Sequence, residues 1–326
     1  MSTVLISAPY FLPEVERFMP VFEAYTIQVI TPDVQERLSE FELMKYAGEF
    51  DGTICGDDQY TKAVIAACTP RLKVISKWGT GIDSIDQQAA KDFGVVVGNT
   101  PNAFTVPVSE SVIGYMLAFA RQLPWLDQEI KKGRWQKTVG KTLSECVLGV
   151  IGVGNIGKAV LRRAGPFGMT LIGNDIIDIA PDFLIENKVK MTSLEELLAM
   201  SDFISINCTL NPSSFYLINK ERLALCKPEA VIINTARGPI IKEDDLVVGL
   251  KNGLIRGAGL DVFEDEPLTE DSPLLKMDRV MLAPHNSNSS PRFWEDVHWN
   301  TIKNLLIGLG LNTDRLSEIK SQISIY

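Results

Sequence analysis

The stretch Val147-Leu148-Gly149-Val150-Ile151-Gly152-Val153-Gly154-Asn155-Ile156-Gly157-Lys158 decides how the chain folds. An apolar run ends in Gly-x-Gly-x-x-Gly, and the helix-compatible segment Lys158-Ala159-Val160-Leu161-Arg162-Arg163 follows. Strand, glycine turn, helix is the order a dinucleotide site requires. Gly152 permits the tight turn out of the strand. Gly154 keeps a Cβ out of the way of a pyrophosphate, and Gly157 lets the helix pack close to the strand. The N–H groups and positive dipole end of that helix then face the phosphates. Thr170-Leu171-Ile172-Gly173 reads as the next strand and Asp175 closes it, at about the ~20-residue distance of a ribose-binding acid. An acid there accepts hydrogen bonds from both ribose hydroxyls and repels a 2′-phosphate. Ile176, not arginine, comes next, so the expected cofactor is NAD rather than NADP.

A chain of 326 residues suggests about two domains. Apolar residues make up 45%, ordinary for globular cores, and no apolar run approaches the ~20 residues of a membrane span. The start, Met1-Ser2-Thr3-Val4-Leu5-Ile6-Ser7, lacks the basic lead and long apolar stretch of a signal peptide. Cys55, Cys68, Cys146, Cys208 and Cys226 are scattered, mostly inside apolar runs, and show no metal-ligand spacing. The expectation is buried free thiols in a cytoplasmic protein, with no metal. A net charge of −9 without a basic stripe argues against nucleic acid as a partner. An anionic substrate needs local positive charge against that background.

Strand-like and helix-like segments alternate along the whole chain. The runs at 4–7, 27–30, 52–55, 73–76 and 95–97 read as strands separated by helical patterns, and so do 146–151, 170–174, 203–207, 230–234, 257–262 and 279–283. That alternation is the signature of an α/β protein with doubly wound parallel sheets, here in two units. The turn-rich Asn99-Thr100-Pro101-Asn102 marks the boundary. Ser109 to Arg121 reads as a long helix, Pro124 as its break or restart, and Pro291 to Leu309 as a further helix.

Three residues matter for where they fall. Arg237 follows the run Ala230 to Asn234, Asp261 closes Gly257 to Leu260, and His285 follows Val280 to Ala283. The C-terminal ends of parallel strands line one rim, so residues far apart in sequence can converge on a ligand at the switch point. Glu266, in the acidic loop Phe263-Glu264-Asp265-Glu266-Pro267, can reach the same place. These residue types suit hydride transfer from a 2-hydroxy acid. A neutral histidine takes the hydroxyl proton and returns it in reverse. A carboxylate on its other ring nitrogen fixes the tautomer, and an arginine clamps the substrate carboxylate. His298, the other histidine, lies within the last helical pattern and reads as a packing or surface residue.

From about Asn99 to Ser290 the chain resembles the D-isomer-specific 2-hydroxyacid dehydrogenases, a family that includes D-3-phosphoglycerate, glycerate/hydroxypyruvate and D-lactate dehydrogenases. The resemblance rests on Gly149 to Gly157, Lys227-Pro228, Ile233-Asn234-Thr235-Ala236-Arg237-Gly238, Leu260-Asp261-Val262-Phe263-Glu264, Glu266-Pro267 and Pro284-His285. It implies Arg237 as the substrate clamp, Glu266 and His285 as the catalytic pair, and Asp261 as a contact to the nicotinamide amide. Cofactor contacts at Gly152, Gly154, Asn155, Ile156, Gly157, Asp175, Thr235 and Ala236 are implied with them.

The outer part resembles the family less closely. Lys77-Trp78-Gly79-Thr80-Gly81 is similar to its substrate loop, which places the substrate at Lys77, Gly79, Thr80 and Gly81. A basic residue at Lys77 and the closeness of the nucleotide-domain motifs put a phosphoglycerate-like substrate narrowly ahead. Gly56-Asp57-Asp58-Gln59 argues the other way, because two acids beside a phosphate repel it; they either point to solvent or bind hydroxyls of a polyol acid. Asn286 adds a polar group after His285. The family architecture implies a Rossmann NAD-binding domain at 101–289 and a discontinuous flavodoxin-like substrate domain at 1–100 and 290–326, closing over a small 2-hydroxy or 2-oxo acid. It implies a homodimer through an arm at Ala120 to Lys137 carrying Trp135, and a chain ending at Tyr326 implies no appended regulatory domain. A non-catalytic NAD-sensing module, like the corepressor branch of the same family, is the rival from another class. A formate-dehydrogenase-like reading is disfavoured by Glu266, where that branch has glutamine.

Overall fold

In the computed structural model the β-branched runs become strands of two sheets, and every pairing is parallel. The structure describes residues 1–323; the last three residues of the segment expected at 290–326 lie outside it. The chain divides into two compact units, one formed by Met1–Ala103 with the segment from Ser290 onward, the other by Phe104–Ser289.

The first unit holds β1 (Ser2–Ile6), β2 (Ile27–Ile30), β3 (Gly52–Cys55), β4 (Val74–Lys77) and β5 (Val96–Gly98) in the order β2-β1-β3-β4-β5, the flavodoxin-like winding. β3 and β4 are buried throughout and β1 nearly so, because a central parallel strand is covered on both faces and must be apolar on both. The edge strands β2 and β5 are partly exposed. The helix Pro291–Gly308 packs against β3, β4 and β5, burying Val297, Ile302, Leu305 and Leu306. His298 lies on the same helix, 3% exposed among Phe11 and Phe18, and accepts the Trp78 indole N–H at Nδ1 over 3.0 Å. Burial lowers its pKa to about 4, with Arg17 pushing the same way and Glu295 opposing.

The second unit holds β6 (Val147–Ile151), β7 (Thr170–Asn174), β8 (Val189–Met191), β9 (Phe203–Ile206), β10 (Val231–Asn234), β11 (Gly257–Leu260) and β12 (Val280–Leu282) in the order β12-β11-β10-β9-β6-β7-β8. Strand order reverses between β6 and β9, so the glycine turn after β6 sits at the topological switch point, where open α/β sheets bind ligands. Side chains alternate between two cores. Leu148 and Val150 pack with Val112, Met116 and Val160, whereas Ile151 packs with Leu197, Ile204 and Ile232 on the other face.

Some details depart from expectation. The long helix is Thr105–Arg121, starting four residues before Ser109; Pro107 falls in its first turn, where a missing N–H costs nothing. It ends at Gln122 in a left-handed conformation, and Leu123–Lys131 restarts with Pro124 in its first turn. β8 was not expected, because Val189-Lys190-Met191 is short and interrupted by a charge. The helix Leu316–Gln322 was not expected either. All five cysteines are free, four of them buried. Burial pushes the Cys208 thiol up to about 11 and Cys226 to about 12, so neither is a nucleophile at neutral pH. Among the described residues no helix is long and apolar enough to cross a membrane.

Candidate active site

The three glycines of the β6 turn are required for three separate reasons. Gly152 has φ +87°, and a Cβ there would meet the Cys208 backbone nitrogen at 2.5 Å. A Cβ on Gly157 would lie 2.1 Å from the Gly152 carbonyl oxygen. A Cβ on Gly154 would meet nothing within 4 Å, so the absence of a side chain there serves something other than the fold. Gly154 is the N-cap of the helix Asn155–Ala164, and no side chain caps that terminus. Asn155 and Ile156 form its first turn, with the helix dipole behind them.

Asp175, just past β7, accepts the Val153 N–H at Oδ2 over 2.6 Å and the Ile177 N–H at Oδ1 over 3.2 Å. The acid therefore also braces the glycine turn. Ile176 and Ile177 beside it are 86% and 66% exposed, an apolar pair of which the sequence pointed only to Ile176, as a residue other than arginine. At the ends of β9 and β10, Asn207 Oδ1 and Thr235 Oγ1 are buried without a hydrogen-bond partner. Orphaned polar atoms beside an open glycine turn are what a bound polar group would satisfy. The residues present thus fit a dinucleotide.

The Arg237 turn is built by Asn234, which the sequence reading did not single out. Fully buried, Asn234 donates from Nδ2 to the Arg237 carbonyl at 2.9 Å and accepts the Ala236 N–H at Oδ1 over 3.0 Å. The Arg237 guanidinium donates to the Ala236 carbonyl at 2.8 Å. Gly238 follows, and a Cβ there would sit 1.8 Å from the Phe263 carbonyl oxygen. Only glycine lets the Arg237 turn lie directly on the loop that carries Glu266.

Glu266 is held at one oxygen by the Phe263 N–H (2.9 Å) and presents the other to His285 Nδ1 at 3.0 Å. His285 has φ +48°, a left-handed conformation costly for a residue with a side chain. Asp261 holds it there. The His285 N–H donates to the Asp261 carbonyl at 2.8 Å. The Asp261 carboxylate accepts the Asn286 N–H at 2.8 Å and the Ser287 N–H at 2.9 Å. Asp261 is 1% exposed; burial raises its pKa, and these bonds and His285 pull it back. The expected nicotinamide contact thus shares its residue with another task, because both carboxylate oxygens hold the turn after His285. The Asn286 side chain is exposed.

In the first unit, Gly79 (φ +123°) accepts the Thr100 N–H at 2.8 Å, and the Thr80 hydroxyl donates to the Thr100 carbonyl at 2.9 Å. The Gly79–Gly81 loop is thereby stitched to the end of the domain's first segment. Lys77 is buried and lies 3.0 Å from Asp57. Asp58 is fully buried, accepting the Leu38 N–H at 2.6 Å and the Ser7 hydroxyl. Neither acid is a freely solvated carboxylate, contrary to one of the two readings above. The contacts responsible run to Ser7, Leu38 and Lys77, far off in sequence.

A parallel sheet with this turn at its switch point is an arrangement that binds dinucleotides. Residues 113–287 match the model of the D-isomer specific 2-hydroxyacid dehydrogenase NAD binding domain. The chain is 37% identical over 280 residues to a hydroxypyruvate reductase of Thermotoga maritima, covering 85% of this chain and 90% of that one. It is 37% identical over 263 residues to a D-3-phosphoglycerate dehydrogenase of Methanocaldococcus jannaschii; that match covers 79% of this chain but spans about half, 49%, of the relative. The fold superposes on D-lactate dehydrogenase from Aquifex aeolicus, solved with NAD and lactic acid, with a TM-score of 0.84, 26% identity and 98% of each chain covered. The chain belongs to the D-isomer specific 2-hydroxyacid dehydrogenase family, and the matched residues 113–287 fall within its second unit.

Proposed function

We propose that the chain catalyses reversible hydride transfer between C2 of a D-2-hydroxy acid and NAD, with His285 as the acid/base. The observation that carries this reading is the Glu266–His285 contact at 3.0 Å on the rim that also carries Arg237. Bound NAD supplies the acceptor for the hydride leaving C2. In that direction His285 takes the hydroxyl proton at Nε2, the ring nitrogen away from Glu266, and in reduction it returns the proton to the new alkoxide oxygen. Glu266 fixes the tautomer and stabilises the imidazolium. Arg237 grips the substrate carboxylate with charge-assisted hydrogen bonds and so orients C2.

Gly152, Gly154, Asn155, Ile156 and Gly157 would hold the pyrophosphate, and Asp175 the adenosine ribose. Ile176 would offer the base an apolar face, and Thr235, Ala236 and Asp261 would line the nicotinamide side. Gly79, Thr80 and Gly81 are assigned to the substrate carboxylate through backbone N–H groups. The test is NADH consumption with phosphohydroxypyruvate, hydroxypyruvate, glyoxylate, pyruvate and bulkier 2-oxo acids. Turnover is expected to fall on the order of 10²–10⁴-fold in His285→Gln and to be lost in Arg237→Ala. Tight NADH binding without turnover of any acid would refute the reading.

We also propose a cytoplasmic homodimer. Trp135 and Val139, after the helix Leu123–Lys131, are 82% and 93% exposed, and solvent is a poor neighbour for both. Light scattering is expected to give twice the chain mass, and Trp135→Glu a monomer. Wild type at the monomer mass would refute it.

A further inference from the structure

The first unit carries an ion pair at its rim that the proposed chemistry leaves unused. β3 and β4 are paired neighbours, with Cys55 opposite Lys77, and they end together. Asp57 and Asp58 follow β3; Lys77 ends β4 immediately before Trp78-Gly79-Thr80-Gly81. Lys77 Nζ lies 3.0 Å from Asp57, and the two side chains are 5% and 24% exposed. Behind them Asp58 is fully buried on Ser7 and Leu38, and burial raises its pKa. One cation therefore faces two carboxyl groups. With Asp58 protonated the cluster is neutral, and with Asp58 ionised it is negative.

Trp78, the residue after Lys77, sits in an aromatic cluster. Tyr10 and Trp78 stack at 4.8 Å, and Trp294 lies 5.0 and 5.9 Å from them. A cation already matched by a carboxylate offers nothing to a phosphate, which would instead lose hydration against rings and acids.

We infer that Asp57 is a specificity-determining residue which neutralises Lys77, and that the substrate is a 2-oxo acid whose side chain bears no second negative charge. This rests on the dehydrogenase reading above.

The experiment compares kcat/KM for hydroxypyruvate and phosphohydroxypyruvate, which differ by the phosphate alone, with glyoxylate and pyruvate run alongside. Wild type is expected to favour hydroxypyruvate by about tenfold or more. Asp57→Asn, which uncovers Lys77, lowers that ratio by on the order of tenfold, the scale of one unscreened charge near a protein surface. Lys77→Met, which uncovers the acid, raises it. The double variant Asp57→Asn/Lys77→Met removes both members of the ion pair together, serves where Asp57→Asn folds poorly, and returns the ratio to within about threefold of wild type. A wild-type preference for the phosphorylated acid, or a ratio that Asp57→Asn and Lys77→Met both leave unmoved, overturns the inference while the dehydrogenase stands. No turnover of any of the four acids overturns both.

Discussion

Gly154 and Gly157 lie three residues apart in one turn, and alanine at each should fail differently. At Gly154 the backbone has φ −74° and ψ −156°, extended with no positive-φ penalty for alanine, and the new Cβ would meet no protein atom within 4 Å. Losing glycine at an N-cap costs about 0.5–1 kcal/mol, and the stiffer unfolded chain returns about 0.4–1 kcal/mol. The two nearly cancel, so Gly154→Ala should melt within about 2 °C of wild type. The same methyl would occupy space left for a pyrophosphate, so NADH affinity should fall at least about tenfold, or 1.4 kcal/mol. At Gly157 the Cβ would lie 2.1 Å from the Gly152 carbonyl oxygen, against about 3.3 Å for a relaxed carbon–oxygen contact. The helix must retreat by about 1 Å, an overpacking cost of about 1–3 kcal/mol. That lowers the melting temperature by on the order of 5 °C and displaces the N–H groups of the helix's first turn. Thermal melts and NADH fluorescence titrations separate the cases. Wild-type NADH affinity in Gly154→Ala, or a wild-type melt in Gly157→Ala, would refute the steric argument.

Three further outcomes are expected. Asp175→Ala should raise the NADPH-to-NADH ratio of kcat/KM by about tenfold or more, because the charge opposing a 2′-phosphate is gone; an unchanged ratio would remove Asp175 from the ribose. Gly238→Ala should push the Arg237 and Glu266 loops apart and cost on the order of 10² in kcat, and wild-type turnover would count against the 1.8 Å contact. His298 makes stability depend on pH. Its folded pKa, about 4, lies below the unfolded value of 6.5, so both states are neutral above pH 6.5 and the unfolded chain takes the proton first below it. The contribution is whole above pH 6.5 and declines toward pH 4 by about 3 kcal/mol. His298→Gln, which keeps an acceptor for Trp78, should lose less stability between pH 7 and 4.5 in urea titrations than wild type. Equal losses would dismiss His298 as the source.

What was legible from the chain was periodic or local. β2, β3 and β7 fall on the runs read as strands, because each is a short run rich in β-branched or apolar residues between helical patterns. The glycine turn was legible for the same reason, since its three constraints lie within six residues. β8 was not legible, because an edge strand of three residues around Lys190 carries almost no pattern. Asn234 sat in plain view as a strand residue, yet its role depends on where the next three residues turn. The surroundings of Asp58 depend on Ser7 and Leu38, and those of Gly238 on Phe263, which no spacing rule connects. Residue types could be read as chemistry, whereas the bonds that aim them are contacts between distant segments.

The helix Pro291–Gly308 has a consequence for biosynthesis. It covers β3, β4 and β5, yet it is translated after the entire second unit. A ribosome completes residues 104–289 while one face of the earlier sheet still lacks the side chains of Val297, Ile302, Leu305 and Leu306. Domains usually fold in the order they emerge, but here the unit begun first is finished last. During synthesis its apolar sheet face waits uncovered for the last part of the chain.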